Sequence, residues 1–194
     1  MKPLLTPEDF FPPATIPKNG DRRKDKIHLA VGRAIHQWEY VEHHLGELFT
    51  TLLGSVVPIG ALRVYGSTTG FNTRQQMLFT AADVVFYYHP NDALQTEFKR
   101  IVKTLCDPAS GRRNEFAHGI VIGEDRRDRM HYFLVPPFMS AKKRSMDTMP
   151  SYQYTSKEIQ PYIKKYAVLA GDVYRLRKAI SEWRATWPKK GREP

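Results

Sequence analysis

A mainly α fold, a helical bundle with a small β-hairpin inserted before a long C-terminal helix, is predicted by three features of the 194-residue chain. Apolar residues recur at three- and four-residue steps through two long stretches, from Ile27 to Leu52 and from Ile159 to Trp187. The period changes to two around Ile120–Ile122 and again around Tyr132–Val135, with the charged turn EDRRDR between them. Glycine, proline and asparagine punctuate the intervals between periodic stretches.

Each element follows in order. Residues 1–20 hold five prolines, too many ring-blocked positions for a helix, so they form an extended arm that lies on the body or on a partner. From Asp21, the residues Ile27, Val31, Ile35, Trp38, Val41, Leu45, Leu48, Phe49 and Leu52 define one long amphipathic helix that ends near Gly54. Gly54–Asn72, with four glycines and Pro58, reads as a loop or a short broken helix around Ala61–Tyr65. A further helix is expected from Thr73, as N-cap, to His89-Pro90. Asn91 caps the next, whose buried stripe runs from Leu94 to Leu105, and Pro108–Gly111 is expected to break the chain. Arg112–Gly119 then makes a helical turn or two. After the hairpin comes the basic loop 136–150, then Tyr152 and Tyr154 as a third short strand, then Thr155-Ser-Lys-Glu158 as a capping box opening the last helix. Pro161 is tolerated near that start. The domain reading is an arm at 1–20, one helical domain at 21–187, and a basic tail at 188–194.

Composition bounds the function. No run of about 18 apolar residues occurs, and the prolines and early acids of the first segment are unlike a signal peptide, so neither a membrane-spanning helix nor Sec-type export is expected. Cys106 is the only cysteine, which excludes an intramolecular disulfide and a cysteine-based zinc site, and a reducing cytoplasm is the expected location. The net charge is +10, and residues 107–194, with 18 basic and 10 acidic side chains, carry +8 of it. Such a field attracts polyanions, nucleic acid first. There is no glycine-rich phosphate loop and no nucleophile elbow.

The most informative stretch is Arg112-Arg113-Asn114-Glu115-Phe116-Ala117-His118-Gly119. On a regular helix Asn114 lies about 40° from His118 and Arg113 about 140° away, so the imidazole meets the amide directly but not Arg113. Arginine followed at four to six intervening residues by histidine is a pattern that composition alone produces about twice. The chain has five such pairs, Arg22 and Arg23 with His28, Arg112 and Arg113 with His118, and Arg126 with His131, so the fuller string must discriminate.

That string, RNEFAHG, resembles the R-N-x-x-x-H signature of the HEPN superfamily, helical-bundle proteins that include many metal-independent endoribonucleases. The long first helix with IHQWEYVEHHLGEL and the place of the motif after three helical segments are similar as well. The hairpin and basic loop between the motif and the last helix depart from that pattern. The resemblance implies a HEPN-like bundle, RNA as substrate, Arg113, Asn114 and His118 as catalytic residues, no cofactor, a homodimer with the motif at its interface, and an antitoxin protein as a possible partner. Arg112, Lys142, Lys143 and Arg144 are the substrate-binding candidates. The alternative is a catalytically silent module of the same fold that binds nucleic acid, a nucleotide or a protein.

The chemistry is coherent in its own terms. RNA carries its own nucleophile in the 2′-hydroxyl, so cleavage needs a base that works near neutral pH and a cation for the phosphorane. Histidine and arginine are the side chains suited to those roles. Asn114 would orient the imidazole or bind phosphate. A di-metal carboxylate site built from Glu39, Glu42, His43 and Glu115-x-x-His118 lacks its second Glu-x-x-His, so no metal is assigned, and Glu39 and His43 are expected to pair along the first helix. Tyr132, Phe133, Tyr152 and Tyr154 invite base stacking but more simply pack a small sheet, and Trp183 and Trp187 read as packing residues.

Overall fold

The computed structural model describes residues 10–12, 15–126, 128–137, 139 and 150–188. Lys142, Lys143 and Arg144, and the tail beyond residue 188, lie outside the described residues. The elements are α1 (Lys24–Leu53), α2 (Pro58–Gly66), α3 (Phe71–Tyr88), α4 (Asp92–Lys99), a π-helical segment (Arg100–Leu105), α5 (Cys106–His118), β1 (Ile120–Asp125), β2 (Met130–Val135) and α6 (Ser156–Ala185). The fold is mainly α, with the hairpin before the long last helix, as the periodicity predicts. No helix among the described residues is long and apolar enough to cross a membrane.

The chain gathers into two compact units, one from Met1–Val41 and Thr104–Leu169, the other from Glu42–Lys103 and Ala170–Pro194, each in its described residues. In the first, Ile27, Trp38, Phe116, Phe133, Tyr154 and Tyr166 are all but fully buried. Removing such a side chain from water contributes about 1.5–3 kcal/mol. Within this unit the inward stripe of α1 runs through Ala30 and Ala34, both buried, while Val31 and Ile35 are half-exposed. The arm joins the body here: Phe11 is buried, its ring stacks on Tyr162 and Tyr166, and the Tyr162 hydroxyl donates to Pro12 O at 2.8 Å.

The hairpin pairs Ile120 with Val135 through to Asp125 with Met130. The other edge of β2 is used twice, by Asp21 opposite Tyr132 and by Tyr154 opposite Leu134. Alternate residues of a strand direct their backbone groups to the same edge, so 132 and 134 serve one side. The expected third strand is therefore a bridge at Tyr154. Half of the predicted capping box forms at the start of α6, where Thr155 N–H donates to Glu158 Oε2 at 2.9 Å; the Thr155 hydroxyl also bonds that carboxylate, and the Asp21 carboxylate accepts from Ser156 N at 2.6 Å.

In the second unit Leu45, Leu48, Leu52, Leu78, Phe98 and Ile101 form the buried centre. Gly54, at φ 61°, ends α1 with a Schellman motif, since Gly54 N donates to Thr51 O at 3.1 Å and Ser55 N to Thr50 O at 3.3 Å. Arg184 Nη1 donates to the Leu52 carbonyl at 2.5 Å. Gly70, not Thr73, caps α3, whereas Asn91 caps α4 as expected by accepting from Leu94 N at 3.1 Å. Trp183 stacks on Phe86 and Trp187 on His89.

The expected break at Pro108–Gly111 does not occur. The π-helical segment delivers the chain directly into α5, where Pro108 occupies the first turn. A proline there gives up an N–H that a helix start does not use, and the wider π turn before it absorbs the change in hydrogen-bond register. Gln75 Nε2 donates to Val102 O in that turn at 2.7 Å.

Candidate functional site

The motif occupies the last two turns of α5, and Phe116 fixes its orientation. That ring is 1% exposed and packs edge-on against Tyr154 at 5.1 Å and Tyr162 at 5.3 Å. With residue 116 inward, Glu115 is buried beside it, and Asn114, Ala117 and His118 face outward. Gly119 ends the helix by donating to Glu115 O at 3.0 Å. A Cβ on Gly119 would stand 2.8 Å from that oxygen and 2.8 Å from the Leu134 side chain, so the close approach of β2 requires glycine.

The two neighbouring arginines have different surroundings. Arg112 Nη2 lies 3.0 Å from Glu115 Oε1, and its Nη1 donates to the Tyr154 hydroxyl at 3.4 Å. That hydroxyl in turn donates to Glu115 Oε2 at 2.6 Å. Burial works against the Arg112 charge, yet the neighbouring Tyr154 and Glu115 hold its pKa above the ordinary arginine value. Tyr154 and Tyr162 are both pushed up by burial, and Tyr152 is pushed up to about 12 by burial and by the charge of Glu115. The interior of the first unit thus holds a closed Arg112–Glu115–Tyr154 triangle that locks α5 against the strand at Tyr154. Sequence reasoning singled out Glu115 only for its spacing from His118; the three-residue step from Arg112, which permits an ion pair on one helix face, is the signal that would have found this role.

Arg113 points elsewhere. Its Nη1 donates to Asn114 Oδ1 at 3.1 Å, and among the described residues it has no carboxylate partner. His118 is exposed and makes no hydrogen bond to any described residue. The fold therefore brings Arg113 and Asn114 together and leaves the imidazole free at the helix end. Nothing in this geometry places the Arg113 guanidinium against the ring of His118, in keeping with their separation around the helix.

The remaining candidates are placed as follows. Glu39 is exposed and makes no hydrogen bond or ion pair among the described residues, so the expected Glu39–His43 pair does not form. Glu47 takes that place, 3.8 Å from His43 Nε2 and 2.9 Å from His44 Nδ1, with Arg177 Nε at 3.7 Å. Glu115 is engaged by Arg112 and Tyr154 and is not presented as a metal ligand. Phe133, Tyr152 and Tyr154 are at most 2% exposed, which commits them to packing instead of base stacking.

No family model, curated protein or solved structure matches this chain. The functional reading therefore rests on the chemistry of these residues.

Proposed function

We propose that this chain is a metal-independent endoribonuclease, with His118 as general base and Arg113 as the cation that stabilises the phosphorane. The observation that carries the reading is the division of labour within Arg112-Arg113. The buried acid engages Arg112, while Asn114 and His118 are exposed at the end of α5 and Arg113, half-buried, has no carboxylate partner among the described residues. In the reaction His118 removes the proton of a 2′-hydroxyl, the 2′-oxygen bonds to the adjacent phosphorus, and the bond to the 5′-oxygen breaks. The 5′-oxygen leaves with a proton returned by an imidazolium or by water, giving a 2′,3′-cyclic phosphate and a 5′-hydroxyl. Asn114 positions the substrate phosphate or the imidazole. Lys142, Lys143 and Arg144 are assigned to the RNA backbone by their charge alone.

Arg113 and His118 diverge by about 140° on one helix, so the proposed active species is a homodimer in which arginine of one copy meets histidine of the other across a twofold axis. The test is incubation with mixed RNA in excess chelator and analysis of the product ends. Cyclic phosphate ends are expected from the wild type and none from His118→Ala, which should melt as the wild type does because His118 has no partner among the described residues. Mixing Arg113→Ala with His118→Ala chains should restore part of the activity. A strict divalent-ion requirement, or full cleavage by His118→Ala, would overturn the reading. RNA binding without cleavage would identify a binding module instead.

A further inference from the structure

The turn end of the hairpin carries a second constellation that RNA cleavage by the α5 motif does not use. Lys18, Asn19, Arg22, Arg126, Arg129 and His131 line a cavity of about 560 Å³. The segment that contributes Lys18 to Arg22 is held against β2 by the Asp21–Tyr132 bridge, and Arg126 Nη1 donates to Lys18 O at 2.9 Å. Glu124 engages Arg126, at 2.9 Å from its Nε and 2.5 Å from its Nη2. Lys18, Arg22 and Arg129 have no carboxylate partner among the described residues, and no lining side chain is acidic or hydrocarbon.

His131 determines what such a cavity accepts. The residue is 6% exposed, and both ring nitrogens face donors: Gly20 N lies 3.1 Å from Nδ1, and Arg22 Nη1 lies 3.0 Å from Nε2. A backbone N–H can only donate, so Nδ1 must keep its lone pair, and a ring with one proton then carries it on Nε2. The Nε2–H of His131 and an N–H of Arg22 therefore converge without an acceptor between them. His131 is buried and Arg22 exposed, and an oxygen atom that accepts from both N–H groups removes the mismatch between them.

We propose that this cavity is an oxyanion site for the dianionic phosphate group of inorganic phosphate or of a phosphate monoester. Arg22 and the His131 Nε2–H bind its oxygens, and Lys18 and Arg129 supply the balancing charge. The planar guanidinium fork suits phosphate oxygens, and three cations without carboxylate partners favour a dianion over a single carboxylate. A lining without hydrocarbon side chains directs recognition to the phosphate and not to what it is attached to.

Calorimetric titration with inorganic phosphate, and in parallel with adenosine monophosphate, tests the site at low, constant chloride. Saturable one-to-one binding is expected. Arg22→Gln and Arg129→Gln should each weaken it about tenfold or more, as loss of a charge-assisted contact predicts. Arg129→Gln guards against misfolding, because the Arg129 side chain makes no hydrogen bond or ion pair with any described residue. Arg23→Gln, whose guanidinium pairs with Asp25 at 2.9 Å and does not line the cavity, should bind as the wild type does. Equal affinity for both probes identifies the free phosphate group as sufficient, and tighter binding of the nucleotide identifies a monoester. Nitrogen-15 spectra should show His131 as the Nε2–H form. Absence of saturable phosphate binding, equal weakening by Arg23→Gln, or a neutral His131 protonated on Nδ1 would overturn the proposal.

Discussion

Replacing Glu115 by glutamine keeps the shape of the side chain and removes its charge, which strands Arg112 inside the first unit. Glu115 is 7% exposed, and its two oxygens serve Arg112 at 3.0 Å and the Tyr154 hydroxyl at 2.6 Å. Breaking a buried ion pair by removing one partner costs about 3–5 kcal/mol. The Arg112 side chain keeps 20% of its surface in solvent, which relieves part of that penalty. An expected loss of about 2–3 kcal/mol follows for Glu115→Gln. In a chain of this length each kcal/mol lowers Tm by about 2–4 °C, so the variant should melt about 4–12 °C below the wild type. Thermal melts followed by circular dichroism measure it. A double-mutant cycle with Arg112→Leu and Glu115→Leu should show the pair losing less than the two single losses together, because the double variant buries no unpaired charge. Wild-type melting of Glu115→Gln, or strict additivity in the cycle, would refute the claim that this triangle locks α5.

Three further outcomes are expected. Arg112→Lys should lower Tm, since an ammonium cannot span Glu115 and Tyr154 as the fork does, while Arg113→Lys should melt like the wild type and lose most RNA cleavage; parallel melting and cleavage assays compare them. Asn91→Ala removes the cap on Leu94 N and should cost about 1 kcal/mol in denaturant unfolding, and an unchanged midpoint would remove the cap from the account. Stability should fall as pH rises above about 10, where unfolded tyrosines lose their protons while the folded chain still holds them. Burial, together with the charge of Glu115, pushes Tyr152 up to about 12, and Tyr154 and Tyr162 are raised as well. Their contribution is complete below the unfolded value and is lost through the folded one. Melting temperature against pH, with tyrosinate absorbance, reads the effect, and tyrosine titration complete near pH 10 with the fold intact would contradict it.

Features that span a few residues were legible in the sequence. The long helices follow from apolar spacing, the hairpin from the change of period, and the caps at Asn91 and Thr155 from residues three apart that bond one another. The same local reading singled out Arg112–Gly119 as the stretch where a cation, an amide and an imidazole lie close together. Its errors also have local causes. Pro108 looks like a breaker until the preceding π turn is known, and Val31 and Ile35 look more core-like than Ala30 and Ala34 until the inward side of α1 is known. Tertiary structure decided which of two adjacent arginines is tied to the buried acid, through Tyr154, a residue 39 positions from Glu115. It also created the basic cavity, by setting Arg22 against His131 across 109 positions of chain. Periodicity constrains which face of an element turns inward; which charges then meet depends on how separate elements dock, and no spacing along the chain encodes that.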